Sequence, residues 1–442
     1  MTSLVPATAR CAPPSNRRVV IVGAGIAGLG AAVALRSAGM EVVIVEARNR
    51  IGGRIHTSTM WPEFSMDLGA SWIHGTRGNP LTVLATQAGA ATVGTSYDST
   101  LLHIAPELRA LGATNGGTEA SEALLEHALA WAARQDRDVS LQSALDAIAP
   151  PASLDNIRRA QLDFYVSGTY EQEYSGGSRQ LSAWSMDKGK EFGGEDVLFP
   201  GGYSQITAHL ARGLDIRLNH VVTSITTRPS GTTLAFADGS MLEADDVLLT
   251  VPLGVLKAGK IAFDPPLSAP KQQAIGRLGM GLLNKHWLRF DRVRWPRDFD
   301  WHEYLSMQKG KWSEWVSLAK VSDTPVLMVF SAADHAETVE QMNDRDIVAN
   351  IMDTARKMFG TDLPDPTAAQ ITRWRADPFA GGSYSFYATG SGPADRANLA
   401  ASEGERLHFA GEAQSLNHPG TVHGALLSGR EAAARIIQGG GR

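Results

Sequence analysis

The sequence predicts a two-domain α/β protein, with one domain built on a parallel sheet that the chain leaves and re-enters and a second of mixed sheet and helices. Three observations carry this. Val19 to Val22 is a β-branched run typical of a buried parallel strand, and it passes straight into Gly23, Gly25 and Gly28 at G-x-G-x-x-G spacing. A second run, Glu41 to Val45, ends in the acid Glu46, about 20 residues past the glycines. Farther on, helical and tryptophan-rich stretches alternate with returns to short apolar strands, in a chain whose 442 residues suffice for two domains.

The first stretch reads as a Rossmann-like dinucleotide site. Gly23 permits the sharp turn out of the strand, Gly25 lets a pyrophosphate approach the backbone, and Gly28 lets the helix pack closely on the strand. The helix from Ile26 to Ser37 points its free amide N–H groups, beginning with Ile26 and Ala27, at the phosphates. Glu46 stands where a carboxylate accepts hydrogen bonds from both hydroxyls of an adenosine ribose, and a phosphorylated ribose would be repelled, which argues against NADP. Val19 to Leu35 carries no charge, but four glycines within it read as strand-turn-helix rather than membrane span.

Composition narrows the function classes. Hydrophobic residues make up 43% of the chain and charged residues 20%, which excludes a structureless protein. Cys11 is the single cysteine, so an internal disulfide framework, an iron-sulfur cluster and a cysteine zinc site are excluded, and a reducing cytoplasm is the expected location. A formal net charge of -5 offers no field for nucleic acid and mildly favours a cationic partner. Residues 1–16 are rich in proline and alanine and read as a disordered tail.

Beyond Glu46 come Ala47, Arg48, Gly52, Gly53 and Arg54. Two arginines beside a Gly-Gly turn suit a diphosphate in any fold. The stretch resembles the flavin-containing amine oxidases, in which E-A-R-x-R-x-G-G-R surrounds the pyrophosphate and ribose of FAD. The resemblance implies a two-domain flavoprotein of the amine oxidase or p-hydroxybenzoate hydroxylase-like kind. Its FAD-binding domain would comprise residues 17–96, 196–264 and 400–442, and its substrate domain residues 97–195 and 265–399.

Taken in order, Gly69-Ala70-Ser71-Trp72-Ile73-His74-Gly75 resembles the polyamine-oxidase branch, where this segment runs beside the flavin and its histidine faces the substrate. Residues 97–186 turn helical, as in Glu119 to Arg134 and a helix from Ser153, and end in Tyr170, Glu171, Glu173 and Tyr174. Acids clustered with aromatics there either line a cationic substrate channel or form a solvated helix end. A helix runs to Leu210, a strand spans Ile216 to Ile225 with Val222 where the family passes the adenine, a hairpin turns at Asp238-Gly239, and Asp246 to Val251 rejoins the parallel sheet.

Leu283, Lys285 and Trp287 alternate on one strand face, which predicts a buried lysine. The family places its single lysine here, bonded through a water to flavin N5. Trp374 and Tyr384 match the family's tryptophan near the flavin and its cage tyrosine. Where monoamine oxidases hold a cysteine joined to FAD this chain has Ser383, which implies non-covalent FAD. Near the end, Gly411-Glu412 and the following helix, with Thr421 and Val422 at its start, resemble the second FAD half-site. Thr421 replaces a second cage tyrosine of monoamine oxidases, which opens the cage toward the polyamine-oxidase and demethylase side.

The resemblance implies oxidation of an amine, by hydride transfer from its α-carbon to flavin N5. The imine would be hydrolysed to aldehyde and amine, and oxygen reduced to hydrogen peroxide. Lys285, Tyr384, Trp374 and Thr421 would carry the chemistry, and His74, Glu171 and Glu173 would join Tyr384 and Thr421 in holding a polyamine. An aromatic or aliphatic monoamine, or an amino acid, is the alternative substrate, and a binding protein of the same fold that does not use FAD is the alternative class. No long helical antenna of the histone-demethylase kind interrupts Pro265 to Trp374. The expected protein is a monomer or homodimer that binds neither nucleic acid nor membrane; Ile436-Ile437 is soon followed by a glycine run rather than an anchoring helix.

Overall fold

The computed structural model describes residues 17–439, so the expected tail of residues 1–16 lies outside the described residues. A five-stranded sheet organises the first half of the fold, in the spatial order Leu407–Phe409, Asp246–Leu249, Arg18–Val22, Glu41–Val45 and Asp215–Arg217. Every neighbouring pair is parallel. Its central strands are largely apolar because both faces are covered, one by helices and the other by a second, four-stranded sheet, so that neither is left wet. On one face the helix Ile26–Ser37 packs against the final helix, Val422–Gly439. Gly429 makes that approach possible, since a Cβ there would lie 2.1 Å from the Ala27 carbonyl oxygen.

The strand expected from Ile216 to Ile225 is two strands. Asp215–Arg217 ends the parallel sheet, and Val222–Arg228 belongs to a separate four-stranded sheet with Gly231–Phe236, Met241–Ala244 and Ala262–Asp264. Asn219 between them has φ +60°, a left-handed turn that a continuous strand cannot contain. The expected hairpin at Asp238-Gly239 forms within this second sheet.

A six-stranded sheet runs in the order Ala368–Ile371, Leu283–Arg289, Val326–Ala332, Glu314–Ser317, Trp301–Leu305 and Thr100–Ile104. Its pairs are antiparallel except the last, which is parallel. One face packs on the helix Asp344–Phe359 through Leu288, Trp315, Leu327 and Ile351. The other presents Trp287, Trp301, Met328 and Phe330 to Met66 and Leu68, and that face borders the site.

The helical middle comprises Thr118–Ala132, Leu141–Ile148 and Asn156–Val166. The last begins three residues later than expected, because Pro151–Ser153 forms a 3₁₀ turn and Asp155 caps the helix by accepting from Arg158 N. It continues as a π turn, Ser167–Gln172.

Candidate active site

One cavity of about 980 Å³ joins the glycine turn of the first strand to the inner face of the six-stranded sheet. Every residue expected to touch the cofactor lines it except Gly28. Gly28 lies beneath the turn, where a Cβ would stand 2.1 Å from the Gly23 carbonyl oxygen. Its absent side chain therefore sets how closely helix approaches strand and does not face the cavity.

The lining fits FAD. The Glu46 carboxylate is held at the strand end by Ala24 N at 2.8 Å and Arg48 N at 2.9 Å, leaving its remaining lone pairs for ribose hydroxyls. Arg48 pairs with Asp377 at 2.9 Å and lies over the Phe379 ring. Arg54 donates to Glu412 at 2.9 Å and to the Ser383 carbonyl at 2.7 Å, joining the first half-site to the second. Burial pushes the Glu412 carboxyl up, but Arg54 and the buried Arg396 outweigh it and hold the group below its usual range. Val222 and Val422 close apolar parts of the wall.

Lys285 is buried on its strand as the alternation predicts. Its Nζ donates to the Gly69 carbonyl at 2.6 Å and to Ser71 Oγ, so the Gly69–Trp72 segment is pinned to the six-stranded sheet. Burial drives the Lys285 pKa down, and the neighbouring Asp67 restores only part of it. The ammonium lies 5.2 Å from the Trp72 ring and 5.9 Å from that of Phe330.

An aromatic wall extends from there. Trp301 stacks on Trp72 at 5.7 Å, on Phe330 at 6.1 Å and on Tyr97 at 4.4 Å. Trp374 is fixed by its indole N–H donating to the Leu68 carbonyl at 3.1 Å, and Tyr384 by its hydroxyl donating to the Gln172 carbonyl at 2.5 Å. That carbonyl is available because the helical segment ends two residues later, at Tyr174, and leaves its last C=O groups without intrahelical partners. Ser383 Oγ donates to the Leu283 carbonyl and accepts from Leu283 N, so its hydroxyl serves the Lys285 strand.

His74 lines the cavity with its Nδ1 2.8 Å from Asp196, which also accepts from Gly75 N. Burial pushes the imidazole down, but the Asp196 hydrogen bond and charge outweigh it and the net shift is upward. Thr421 lines the cavity, yet its hydroxyl caps the final helix by accepting from Gly424 N at 2.9 Å and donating to the His418 carbonyl at 2.9 Å. That leaves the hydroxyl engaged with backbone at both of its roles.

Glu171 requires correction. It pairs with Lys309 at 2.8 Å, accepts from Ser178 N at 2.8 Å, and does not line the cavity, whereas Glu173 does. Residues two apart on a helical turn point to different sides, so the two acids cannot share a face. In place of Glu171 the structure brings in Glu303 and Glu314, which the sequence reading missed. The available signal was an acid in each of two tryptophan-bearing strands, W-H-E-Y-L and E-W-V-S, with Glu303 in phase with the inward Trp301. Asp196, Tyr97 and Phe330 were likewise visible only once the sheets were assembled.

Among the described residues no helix is long and apolar enough to cross a membrane. A model of the family described as flavin containing amine oxidoreductase matches residues 26–437. Polyamine oxidase 4 of Oryza sativa subsp. japonica is 36% identical, over 97% of this chain and 90% of that protein. Lysine-specific histone demethylase 1 homolog 1 of the same plant is 37% identical over 97% of this chain, which spans 53% of that longer protein. Wild-type Putrescine Oxidase bound to Putrescine shares the fold, with a TM-score of 0.78 at 23% identity, over 96% of this chain and 100% of that one.

Proposed function

The chain belongs to the flavin containing amine oxidoreductases, amine-oxidising enzymes that use FAD, and from that premise we propose that it is an oxidase of polyamines such as spermine, spermidine or putrescine. The observation that carries the reading is the charge of the cavity wall away from the glycine turn. Glu173, Glu191, Asp196, Glu303 and Glu314 line it, against Lys190, Lys285 and His74. Such a surplus of carboxylates recruits a substrate with more than one positive nitrogen.

Bound FAD supplies the hydride acceptor, which dioxygen restores with release of hydrogen peroxide. The chain's own residues do the rest. Trp72, Phe330, Trp374 and Tyr384 form a low-polarity chamber at Lys285 that disfavours an ammonium, so the reacting nitrogen enters neutral. Lys285, its pKa lowered by burial, holds and moves a proton at Nζ. His74, fixed by Asp196, orients the substrate chain between the chamber and the acids. The engaged Ser383 hydroxyl and the absence of a thiol there support non-covalent FAD.

The test is peroxide release by the flavin-loaded enzyme across spermine, spermidine, putrescine, alkyl and aryl monoamines, and a dimethyl-lysine peptide. A polyamine should give the highest kcat/KM. A monoamine or the peptide ranking first would reject the proposal.

A further inference from the structure

A second, much smaller cavity of about 20 Å³ lies behind Ser71. Ser71 lines both this space and the large cavity, so it forms part of the wall between them. Trp287, which follows Lys285 by two residues on the same strand face, lines the small cavity and places it beside the lysine. The volume exceeds the roughly 10–15 Å³ that one water needs.

Much of the lining is apolar, as with Phe64, Phe199 and Met328, but three polar groups meet there. Trp287 is only 3% exposed, and its indole N–H has no partner among the described residues. A buried donor of that kind calls for an acceptor. Asp67 is the one ionisable group in the lining. Its Oδ1 accepts from Thr57 Oγ1 at 2.5 Å and from Tyr203 N at 3.0 Å, whereas its Oδ2 accepts from that same Tyr203 N at 3.1 Å and keeps a lone pair free. Ser71 Oγ accepts from Lys285 Nζ, and its own hydroxyl makes a marginal 3.5 Å contact with the Asp67 carbonyl. One water satisfies all three groups, accepting from Trp287 and Ser71 and donating to Asp67. Burial pushes the Asp67 carboxyl up, against the lowering pull of Thr57, Tyr203 and Lys285, and the same burial pushes the Lys285 ammonium down. Their proton affinities are thereby drawn together, so a proton passes between them at little cost.

Resting on the oxidase reading, we infer that the small cavity holds one buried water and that Ser71, this water and Asp67 form a relay returning a proton to Lys285 Nζ from outside the amine cavity. Reduction of dioxygen to hydrogen peroxide takes up the hydride removed from the neutral amine and one further proton. Lys285 gives that proton at Nζ. The Ser71 hydroxyl replaces it while taking one from the water, and the water is replenished by Asp67 or by solvent beside the partly exposed Ser65, Pro200 and Val321. Hydrolysis of the iminium product in the large cavity releases one proton, so a complete turnover leaves the charge of the protein unchanged.

The experiment reads the two half-reactions separately and looks for the water itself. For reoxidation, the flavin-loaded enzyme is reduced photochemically without amine and mixed with dioxygen in a stopped-flow instrument. Ser71→Ala should slow this step about 10-fold, less than the roughly 100-fold or more that follows loss of a proton donor outright. Trp287→Phe leaves the Lys285–Ser71 bond intact and should slow it about fivefold, as expected for one neutral hydrogen bond to the water. Reduction by amine should keep its wild-type rate in both variants, and Ser71→Thr, which retains the hydroxyl, should reoxidise at close to the wild-type rate. A crystal structure of the flavin-loaded wild type should show one water within hydrogen-bond reach of Trp287 Nε1 and Asp67 Oδ2. A dry cavity, unchanged reoxidation in both Ser71→Ala and Trp287→Phe, or an equal fall in both half-reactions would overturn the relay while leaving the oxidase standing. A wild type that dioxygen does not reoxidise would overturn the oxidase reading, and the relay with it.

Discussion

Replacing Glu412 with glutamine isolates the electrostatic link between the two FAD half-sites. The carboxylate is buried, pairs with Arg54 at 2.9 Å, and accepts from Ser385 Oγ at 2.5 Å and Gly420 N at 3.1 Å. Behind it the fully buried Arg396 donates to Ser385 Oγ at 2.8 Å and lies over the Tyr387 ring at 4.4 Å. Glutamine keeps the volume but leaves Arg396 without its nearby counter-charge. Removing one partner of a buried pair costs about 3–5 kcal/mol. At about 2.1 cal/mol/K of unfolding entropy per residue, a 442-residue chain loses about 1 °C of Tm per kcal/mol, which gives a fall of about 3–5 °C.

The pH dependence follows with a definite sign. The folded-state pKa of Glu412 is depressed below its usual 4.5, so the folded protein binds fewer protons there than the unfolded chain. Its contribution is complete above that value and is lost as pH falls through the folded pKa. The gap in Tm between wild type and Glu412→Gln should be widest near neutrality and close under acid. Differential scanning calorimetry of flavin-free protein across pH measures both effects without interference from cofactor affinity. A Tm within a degree of wild type at neutral pH, or a gap that persists undiminished in acid, would refute the reasoning.

Three further outcomes are expected. Lys285→Met should retain FAD, because the lysine bonds protein groups rather than anchoring the glycine turn, and should slow flavin reduction or reoxidation by about 100-fold or more; unchanged stopped-flow rates for both half-reactions would exclude a role in proton transfer. Acid or heat denaturation should send all flavin into the supernatant, since the Ser383 hydroxyl is engaged by Leu283, and flavin that stays with the precipitate would contradict non-covalent binding. Gly28→Ala should cost about 3 kcal/mol and yield colourless or insoluble protein, as its Cβ would meet the Gly23 carbonyl oxygen at 2.1 Å, with normal flavin content per chain counting against it.

The dinucleotide half of the site was legible in the sequence because it is local. Strand, glycine turn, helix and Glu46 follow one another within about 30 residues, and each glycine answers to the backbone beside it. The buried lysine was legible for a similar reason, since alternation along one strand assigns Lys285 to the face of Leu283 and Trp287 without reference to anything distant. Substrate recognition is not local. Whether Glu171 or Glu173 faces the cavity depends on the rotation of a π turn, which spacing along the chain does not reveal. Whether Glu303 meets Glu314 depends on the register of two strands joined by the loop of residues 306–313, and register is decided by which faces of the sheet become buried. Thr421 is read as a cage position by resemblance to the family and as a helix cap by geometry, because only the assembled chain shows which backbone N–H its hydroxyl reaches. The sequence by itself therefore determined the dinucleotide site and the buried lysine, through short-range backbone chemistry and strand alternation. The tertiary structure decided which acids face the substrate, because that depends on side chains from separate sheets and helices being packed against one another.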